Sequence, residues 1–160
     1  MVSSDRAQKN QAEQEEMFPQ MRLEECINYL LTTAQHNVNQ YLARELTDYD
    51  ITPSQYAVMQ VLWNNEGSCT PKMIADRLGL ETSTISGTLE RMQKKGLIDR
   101  LINMDDRREI LVVLQEKGEQ LRAPMARIVR KMNDLVLEGL SASEVSTLKQ
   151  QLREIAWKKL

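Results

Sequence analysis

Apolar residues recur at three- and four-residue intervals from Leu23 onward: Leu23, Ile27, Leu30, Ala34, Val38, Tyr41 and Leu42. At about 100° per residue these positions share one face, which predicts a single long helix over 22–46 with one apolar stripe. The polar run TDYDITPSQ breaks it. Within that run Thr52 is a good N-cap, Pro53 suits the first helical position and Gln55 completes a capping box. The helix that follows, over 53–64, carries Tyr56, Met59, Val61, Leu62 and Trp63 and closes in NNEGS. Thr70 and Pro71 repeat the cap-then-proline start. Met73, Ile74, Ala75 and Leu78 are the expected inner face of that third helix, and Gly79 permits a left-handed turn.

A fourth helix is predicted over 82–95, where Ile85, Leu89 and Met92 step by four and three and face inward. Lys94 and Lys95 suit the negative end of its dipole, and Gly96 stops it. Two short apolar runs, 97–102 and 110–114, then flank the polar tip NMDDRR and read as a hairpin. Beyond it Leu121, Met125, Ile128, Met132 and Leu135 return to helical spacing, with Pro124 marking either a kink or a late start. Ser141 and Glu144 form a capping box for a last helix, striped by Val145, Leu148, Leu152 and Ile155.

Two short helices meeting at a glycine turn, followed by a hairpin, make a winged helix-turn-helix. Such a unit lays one helix in a DNA groove and a basic loop beside it. The expected fold class is mainly α with a small β-hairpin wing, the winged helix-turn-helix domain lying between N- and C-terminal dimerisation helices. The expected organisation is a flexible arm over 1–20, a dimerisation helix over 21–50, the DNA-binding domain over 51–114 and C-terminal dimerisation helices over 115–160. A long helix at each end cannot bury its whole stripe against so small a centre, so a homodimer is expected.

Composition narrows the function. At 160 residues, 41% hydrophobic and 28% charged, the chain fits one globular domain with helical extensions. No apolar run is long enough to span a membrane, and the polar start MVSSDRAQKNQAEQEEMFPQ lacks a signal core, which places the chain in the cytoplasm with no membrane partner. A single His leaves little general-base capacity, and no phosphate loop, nucleophile elbow or triad is present. Neither an enzyme, a cofactor nor a metal site is expected. The net charge is −2, yet its distribution is uneven. Residues 1–50 hold four basic and nine acidic side chains, net −5, whereas 69–108 hold eight and six, net +2. Binding to DNA would then rest on a local field and a few well-aimed contacts rather than on bulk charge.

Those contacts follow from helical geometry. Ser83, Gly87, Glu90 and Lys94 lie opposite the inward face of the fourth helix, with Thr84, Ser86 and Arg91 on its flanks. Small residues let a helix backbone approach base edges, hydroxyls serve either base type, and the N-terminal dipole favours a phosphate. Arg91 would sit over the DNA backbone. Glu90, awkward on such a face, is expected to pair with Lys94 four residues on. In the wing, Asp105, Asp106, Arg107 and Arg108 lie at the tip. An Arg on a rigid hairpin can enter a narrow minor groove, and Asp106 can orient Arg108 by a charge-assisted hydrogen bond.

These residues resemble the MarR family of winged-helix regulators. The resemblance runs from about Arg22 to Leu160 and is carried by Ile51-Thr52-Pro53-Ser54-Gln55, Met73-Ile74-Ala75-Asp76-Arg77-Leu78, Thr84-Ile85-Ser86, Arg91-Met92 and Lys95-Gly96-Leu97-Ile98-Asp99-Arg100. Asp106-Arg107-Arg108 matches the family's wing signature of Asp, any residue, Arg. The resemblance implies a homodimer on double-stranded DNA with a pseudo-palindromic site, acting as a repressor. It implies that Ser83, Thr84, Ser86 and Gly87 face the major groove, and that Arg108, held by Asp106, enters the minor groove. It also implies release by a small-molecule effector or by cysteine oxidation. One departure is Gln115, a poor helix cap where the family often has Thr.

For an effector pocket the candidates are Tyr56 and Trp63, with His36 or Tyr41 nearby. For a redox trigger they are Cys26, in the first helix, and Cys69, in the loop before the third. Peroxide-sensing relatives keep their reactive cysteine in the first helix, but the alignment puts Asn28 at that position, and Cys26 reads as a small packed side chain. Three functions fit these residues: a ligand-released DNA-binding repressor, the same fold triggered by thiol oxidation, and a winged-helix module for protein–protein assembly.

Overall fold

The computed structural model describes residues 22–104 and 106–158; the expected arm over 1–20 lies outside the described residues. The chain divides into two compact units, Met1–Asn37 and Val38–Leu160. The described part of the first holds a 3₁₀ turn, Leu23–Glu25, and the opening turns of helix α1, Ile27–Leu46. The expected helix therefore starts at Ile27 rather than at Arg22. Cys26 is extended (φ −75°, ψ 114°), and its carbonyl accepts the N–H of Leu30 at 3.0 Å, which makes it the cap position.

In the second unit the last turns of α1 bury Leu42 and Leu46. Helix α2, Pro53–Trp63, begins with the expected capping box: Thr52 Oγ1 accepts from the Gln55 N–H at 3.2 Å, and Gln55 Oε1 accepts from the Thr52 N–H at 3.1 Å. That reciprocal pair gives a partner to the amide oxygen of Gln55, a polar side chain sealed in the core. Strand β1, Ser68–Cys69, comes next, and then helix α3, Pro71–Leu78, with Thr70 Oγ1 accepting from the Met73 N–H. Of the expected inner face, Ile74 and Ala75 are buried and Leu78 packs at the core's edge, but Met73 is 45% exposed. Residue 73 lies 100° around the helix from Ile74, and Ala75 and Leu78 extend the inner arc the other way.

Gly79, at φ 65°, ends α3 in the left-handed conformation, and helix α4, Thr82–Lys94, follows. Gly96, at φ 70°, turns the chain into the hairpin of β2, Ile98–Ile102, and β3, Ile110–Leu114. The sheet has the antiparallel order β1-β3-β2, with Ile98 opposite Leu114 and Ile102 opposite Ile110 in the wing. β1 adds Ser68 opposite Val113 and Cys69 opposite Val112. Side chains from α2, α3 and α4 close over the base of this sheet, and Met59, Leu62, Ile74, Leu89, Met92, Ile98 and Val112 are almost wholly buried.

A short helix α5, Glu116–Gln120, precedes α6, Arg122–Val136, and no side chain caps α5 at Gln115. Pro124 falls in the first turn of α6, where a missing N–H costs nothing, so it marks a late start and not a kink. Met125 of α6 is buried, and Leu121, Ile128, Val129 and Met132 pack against the same core; Leu135 and Val136 are exposed. Helix α7, Ala142–Ala156, opens with the Ser141–Glu144 capping box. Its stripe stays uncovered within one chain, with Leu148, Leu152 and Ile155 at 36%, 42% and 45% exposure. Among the described residues no helix is long and apolar enough to cross a membrane.

Candidate nucleic-acid interface

Helix α4 is built to be held on one side and open on the other. Ile85, Thr88, Leu89 and Met92 are buried, while Ser83, Thr84, Ser86, Gly87, Glu90, Arg91 and Lys94 are exposed. No side chain caps its N-terminus at Glu81, so the first turn keeps N–H groups pointing outward beside the hydroxyls. Gly87 is informative. A Cβ added there would meet only Arg91 Nη1, at an ordinary 3.6 Å. The protein's own packing does not require a glycine at this place, although glycine inside a helix costs about 1 kcal/mol relative to alanine.

The charged groups of α4 are ordered. Lys94 Nζ donates to Glu90 Oε1 at 2.7 Å, the expected pair. That hydrogen bond, the Lys94 charge and the more distant Arg100 and Arg91 hold the Glu90 carboxyl below the usual glutamate value. Glu90 therefore stays ionised and absorbs part of the positive field. Arg91 lies back along the helix, its Nη2 donating to Thr88 Oγ1 at 3.2 Å. To reach a phosphate it exchanges that neutral partner for a charged one, an exchange that favours the phosphate.

In the wing, Asp106, Arg107 and Arg108 are all exposed at the tip, and Asp105 lies outside the described residues. The tip is closed by the Asn103 N–H on the Glu109 carbonyl and the Glu109 N–H on the Asp106 carbonyl, each 2.9 Å. Asp106 does touch Arg108, but through the main chain: its Oδ1 accepts the Arg108 N–H at 3.0 Å. The aspartate thus fixes the backbone of the turn from which Arg108 projects, in place of the expected bond to the guanidinium.

Two sets of contacts at the root of the wing were not legible in the sequence. Gln93 Nε2 donates to Asp99 Oδ1 at 2.9 Å, Arg100 Nε donates to Gln93 Oε1 at 2.7 Å, and the Arg100 N–H donates to Asp99 Oδ1 at 2.7 Å. Lys95 Nζ pairs with Asp50 Oδ1 at 3.0 Å, and Lys117 Nζ donates to the Lys95 carbonyl at 2.9 Å. The contacts cross turns or join distant segments, and no residue periodicity signals them.

Of the effector candidates, Tyr56 and Trp63 line two different clefts. Tyr56 and Trp63 are both buried, with ring centroids 6.3 Å apart and planes tilted by 58°. Burial pushes the Tyr56 hydroxyl pKa up. Tyr56 lines a cleft of about 320 Å³ with Gln60, Asn64, Arg77 and Leu78. Trp63 lines a different one, of about 530 Å³, with Glu66, Leu114, Glu119 and Arg122. Tyr41 lies under the Arg44 guanidinium, 5.2 Å from its ring centroid. His36 belongs to the first unit. Of the redox candidates, Cys26 is half-buried. Cys69, placed by the sequence in a loop, instead sits in β1 at 1% exposure, where pairing with Val112 seals it. Burial raises its pKa, against a smaller opposing effect of Arg77, so it is a poor nucleophile.

The MarR family model matches residues 51–110, the segment from just before α2 to the first residue of β3. The HTH-type transcriptional regulator MgrA of Staphylococcus aureus is 31% identical over 140 residues, covering 87% of this chain and 93% of its own. The organic hydroperoxide resistance transcriptional regulator of Bacillus subtilis is 30% identical over 136 residues, covering 85% and 88%. The fold matches that of CouR from Rhodococcus jostii bound to p-coumaroyl-CoA, with TM-score 0.78 at 23% identity over 88% of this chain and 98% of that one. It also matches a cysteine-to-serine mutant of Escherichia coli MarR complexed with operator DNA, with TM-score 0.74 at 24% identity over 88% and 96%. A helix-turn-helix with an open small-residue face, a basic-tipped wing and full-length relatives that are regulators lead to one conclusion: this chain belongs to the MarR family of winged helix-turn-helix transcriptional regulators.

Proposed function

We propose that the protein is a homodimeric repressor that binds a pseudo-palindromic site on double-stranded DNA and releases it when a small molecule binds. The observation that carries the reading is the exposed face of α4, where Ser83, Thr84, Ser86 and Gly87 are kept small without any need inside the fold. These four residues face base edges in the major groove, Arg91 and Lys94 hold phosphates, and Arg107 and Arg108 work at the wing, with Arg108 in the minor groove. The E. coli MarR mutant of the same fold is complexed with operator DNA, which supports the docking mode.

Dimerisation is supported by stripes left uncovered within one chain: Ile27 and Leu30 on α1, and Leu148, Leu152 and Ile155 on α7. The C-terminal helices over 115–160 and the helix over 21–50 then act as the frame that spaces two reading units. The domain over 51–114 does the reading. A small-molecule trigger is supported by CouR, which is bound to p-coumaroyl-CoA, and by two buried polar atoms without a hydrogen-bond partner, Tyr41 Oη and Trp63 Nε1. Each is a donor that a ligand oxygen would satisfy. The sealed Cys69 argues against a thiol trigger there. The protein works in the cytoplasm and binds its effector without transforming it.

The test is selection of duplexes from a random library by the purified protein, with its mass measured in solution. Enrichment of an inverted repeat bound by a dimer is the expected result. Enrichment of no sequence, or a monomer at micromolar concentration, contradicts the reading.

A further inference from the structure

We infer that Gln93 is a positioning residue that sets the angle between the recognition helix α4 and the wing, acting through Asp99 and Arg100. The inference rests on the DNA-binding reading above. A protein that reads two grooves at once must present both elements in fixed relative geometry, because neither contact can adjust to an error in the other.

Leu97 and Ile98 anchor the root of β2 in the core, but Leu101 and Ile102, farther out, are exposed. Core packing therefore fixes where the wing starts and leaves its outer half unsteadied. The turn at Gly96 adds no side-chain packing, since a Cβ there would meet nothing within 4 Å. The link that crosses from helix to strand is the side chain of Gln93. Its amide uses both ends: Nε2 donates to Asp99 Oδ1 at 2.9 Å, and Oε1 accepts from Arg100 Nε at 2.7 Å. Asp99 Oδ1 also accepts the Arg100 N–H at 2.7 Å, so the two strand residues are tied to each other as well as to the helix. All three residues are half-buried, which shelters the bonds from competition with water.

Asp99 and Arg100 are successive strand residues, and both side chains converge on the two ends of the one amide. A single amide holding both therefore resists rotation of the strand about its own axis as well as tilt. The lever is long. From Arg100 to the tip is about five residues, or roughly 17 Å at strand rise. A tilt of about 10° at the root would carry Arg108 through about 3 Å, the whole length of a hydrogen bond.

The experiment uses an operator selected by the wild-type protein and compares it with Gln93→Met, Asp99→Leu and Asp99→Asn. Met keeps the volume and helix preference of Gln without its two bonds, and Asn keeps the Oδ1 acceptor that Leu removes. Hydroxyl-radical footprinting reads minor-groove protection by the wing, and methylation protection reads α4 in the major groove. The expectation for Gln93→Met and Asp99→Leu is selective loss of wing protection, retained α4 protection, and operator affinity lower by about tenfold, as for hydrogen bonds to charged groups. Asp99→Asn keeps the wild-type pattern. Unchanged footprints in Gln93→Met, or both protections fading together, overturn the inference, as does Asp99→Asn failing like Asp99→Leu. If the wild type selects no operator, the DNA-binding reading itself has failed, and the inference falls with it.

Discussion

Two glycines in exposed-looking helical sequence should respond to alanine with opposite signs. Gly118 lies in α5 and is buried. A Cβ built there would overlap the Leu97 carbonyl oxygen and stand 2.8 Å from Leu114 Cδ1 and 3.3 Å from Leu114 Cγ. Leu114 could rotate, but the nearest atom is main chain and already accepts the Gln115 N–H at 3.0 Å. An alanine at 118 must therefore push α5 away from the turn that leads into the wing. Overpacking costs about 1–3 kcal/mol, and an overlap with main chain, which cannot rotate away, belongs at about 2–3 kcal/mol, while helix preference returns about 1 kcal/mol. A net loss of about 1–2 kcal/mol lowers the melting temperature by roughly 2–8 °C for a domain of this size. Gly87→Ala has only the favourable part, because its Cβ meets nothing closer than 3.6 Å. It should raise the melting temperature by roughly 2–4 °C and yet weaken operator binding, since the added methyl faces the groove. Thermal unfolding followed by far-UV circular dichroism, at one fixed protein concentration to hold dimer formation constant, reads both. Gly118→Ala as stable as wild type, or Gly87→Ala less stable, would refute the packing argument.

Other perturbations have definite expectations. Thr52→Ala removes the Oγ1 that caps α2 and strands part of the Gln55 pair, so urea unfolding should show a loss of about 1–2 kcal/mol; no change would mean the box is decorative. Glu144 is held below its ordinary value of 4.5, first by the Ser141 hydroxyl and then by the Ser141 N–H. A carboxylate with a depressed folded pKa contributes stability that is full above the ordinary value and is lost as pH falls through the folded one. The α7 cap should therefore weaken only at acidic pH, and Ser141→Ala should flatten that acid limb in hydrogen exchange of α7; an unchanged limb contradicts the assignment. Cys69 should resist a thiol reagent in the folded protein and react on unfolding, whereas rapid native labelling would contradict its burial in β1.

The sequence was most readable where the cause was local. Thr52 with Gln55, and Ser141 with Glu144, sit three residues apart, and each cap formed as expected. Gly79 and Gly96 adopt the positive φ that placed them at turns. The inward triad Ile85, Leu89 and Met92 follows from helical period alone, and so does the open face opposite it. What stayed hidden depends on distant partners. Two residues, Ser68 and Cys69, have no periodicity to announce a strand, and only β3 makes them one. That strand turned a candidate loop thiol into a core one. Met73 looked internal because it is apolar, yet geometry gave the inner arc to Ile74, Ala75 and Leu78. Gly118 and Gln93 carry no motif; their importance comes from Leu97, Asp99 and Arg100 across a turn. The link from Asp106 to Arg108 was expected on the right residues, but the group that donates to Asp106 Oδ1 is the Arg108 backbone N–H.

A salt series on the selected operator reads out whether α4 and the wing hold DNA through Arg91 and Arg108. Wild type should bind with an affinity that falls linearly in log–log form as salt rises. Arg91→Ala should reduce that slope by about 2, because each of two protomers loses a phosphate contact counted at about 0.9. Arg91→Ala combined with Arg108→Ala should abolish preference for the operator over unrelated DNA. Unchanged affinity, slope and preference in the double variant would contradict the account.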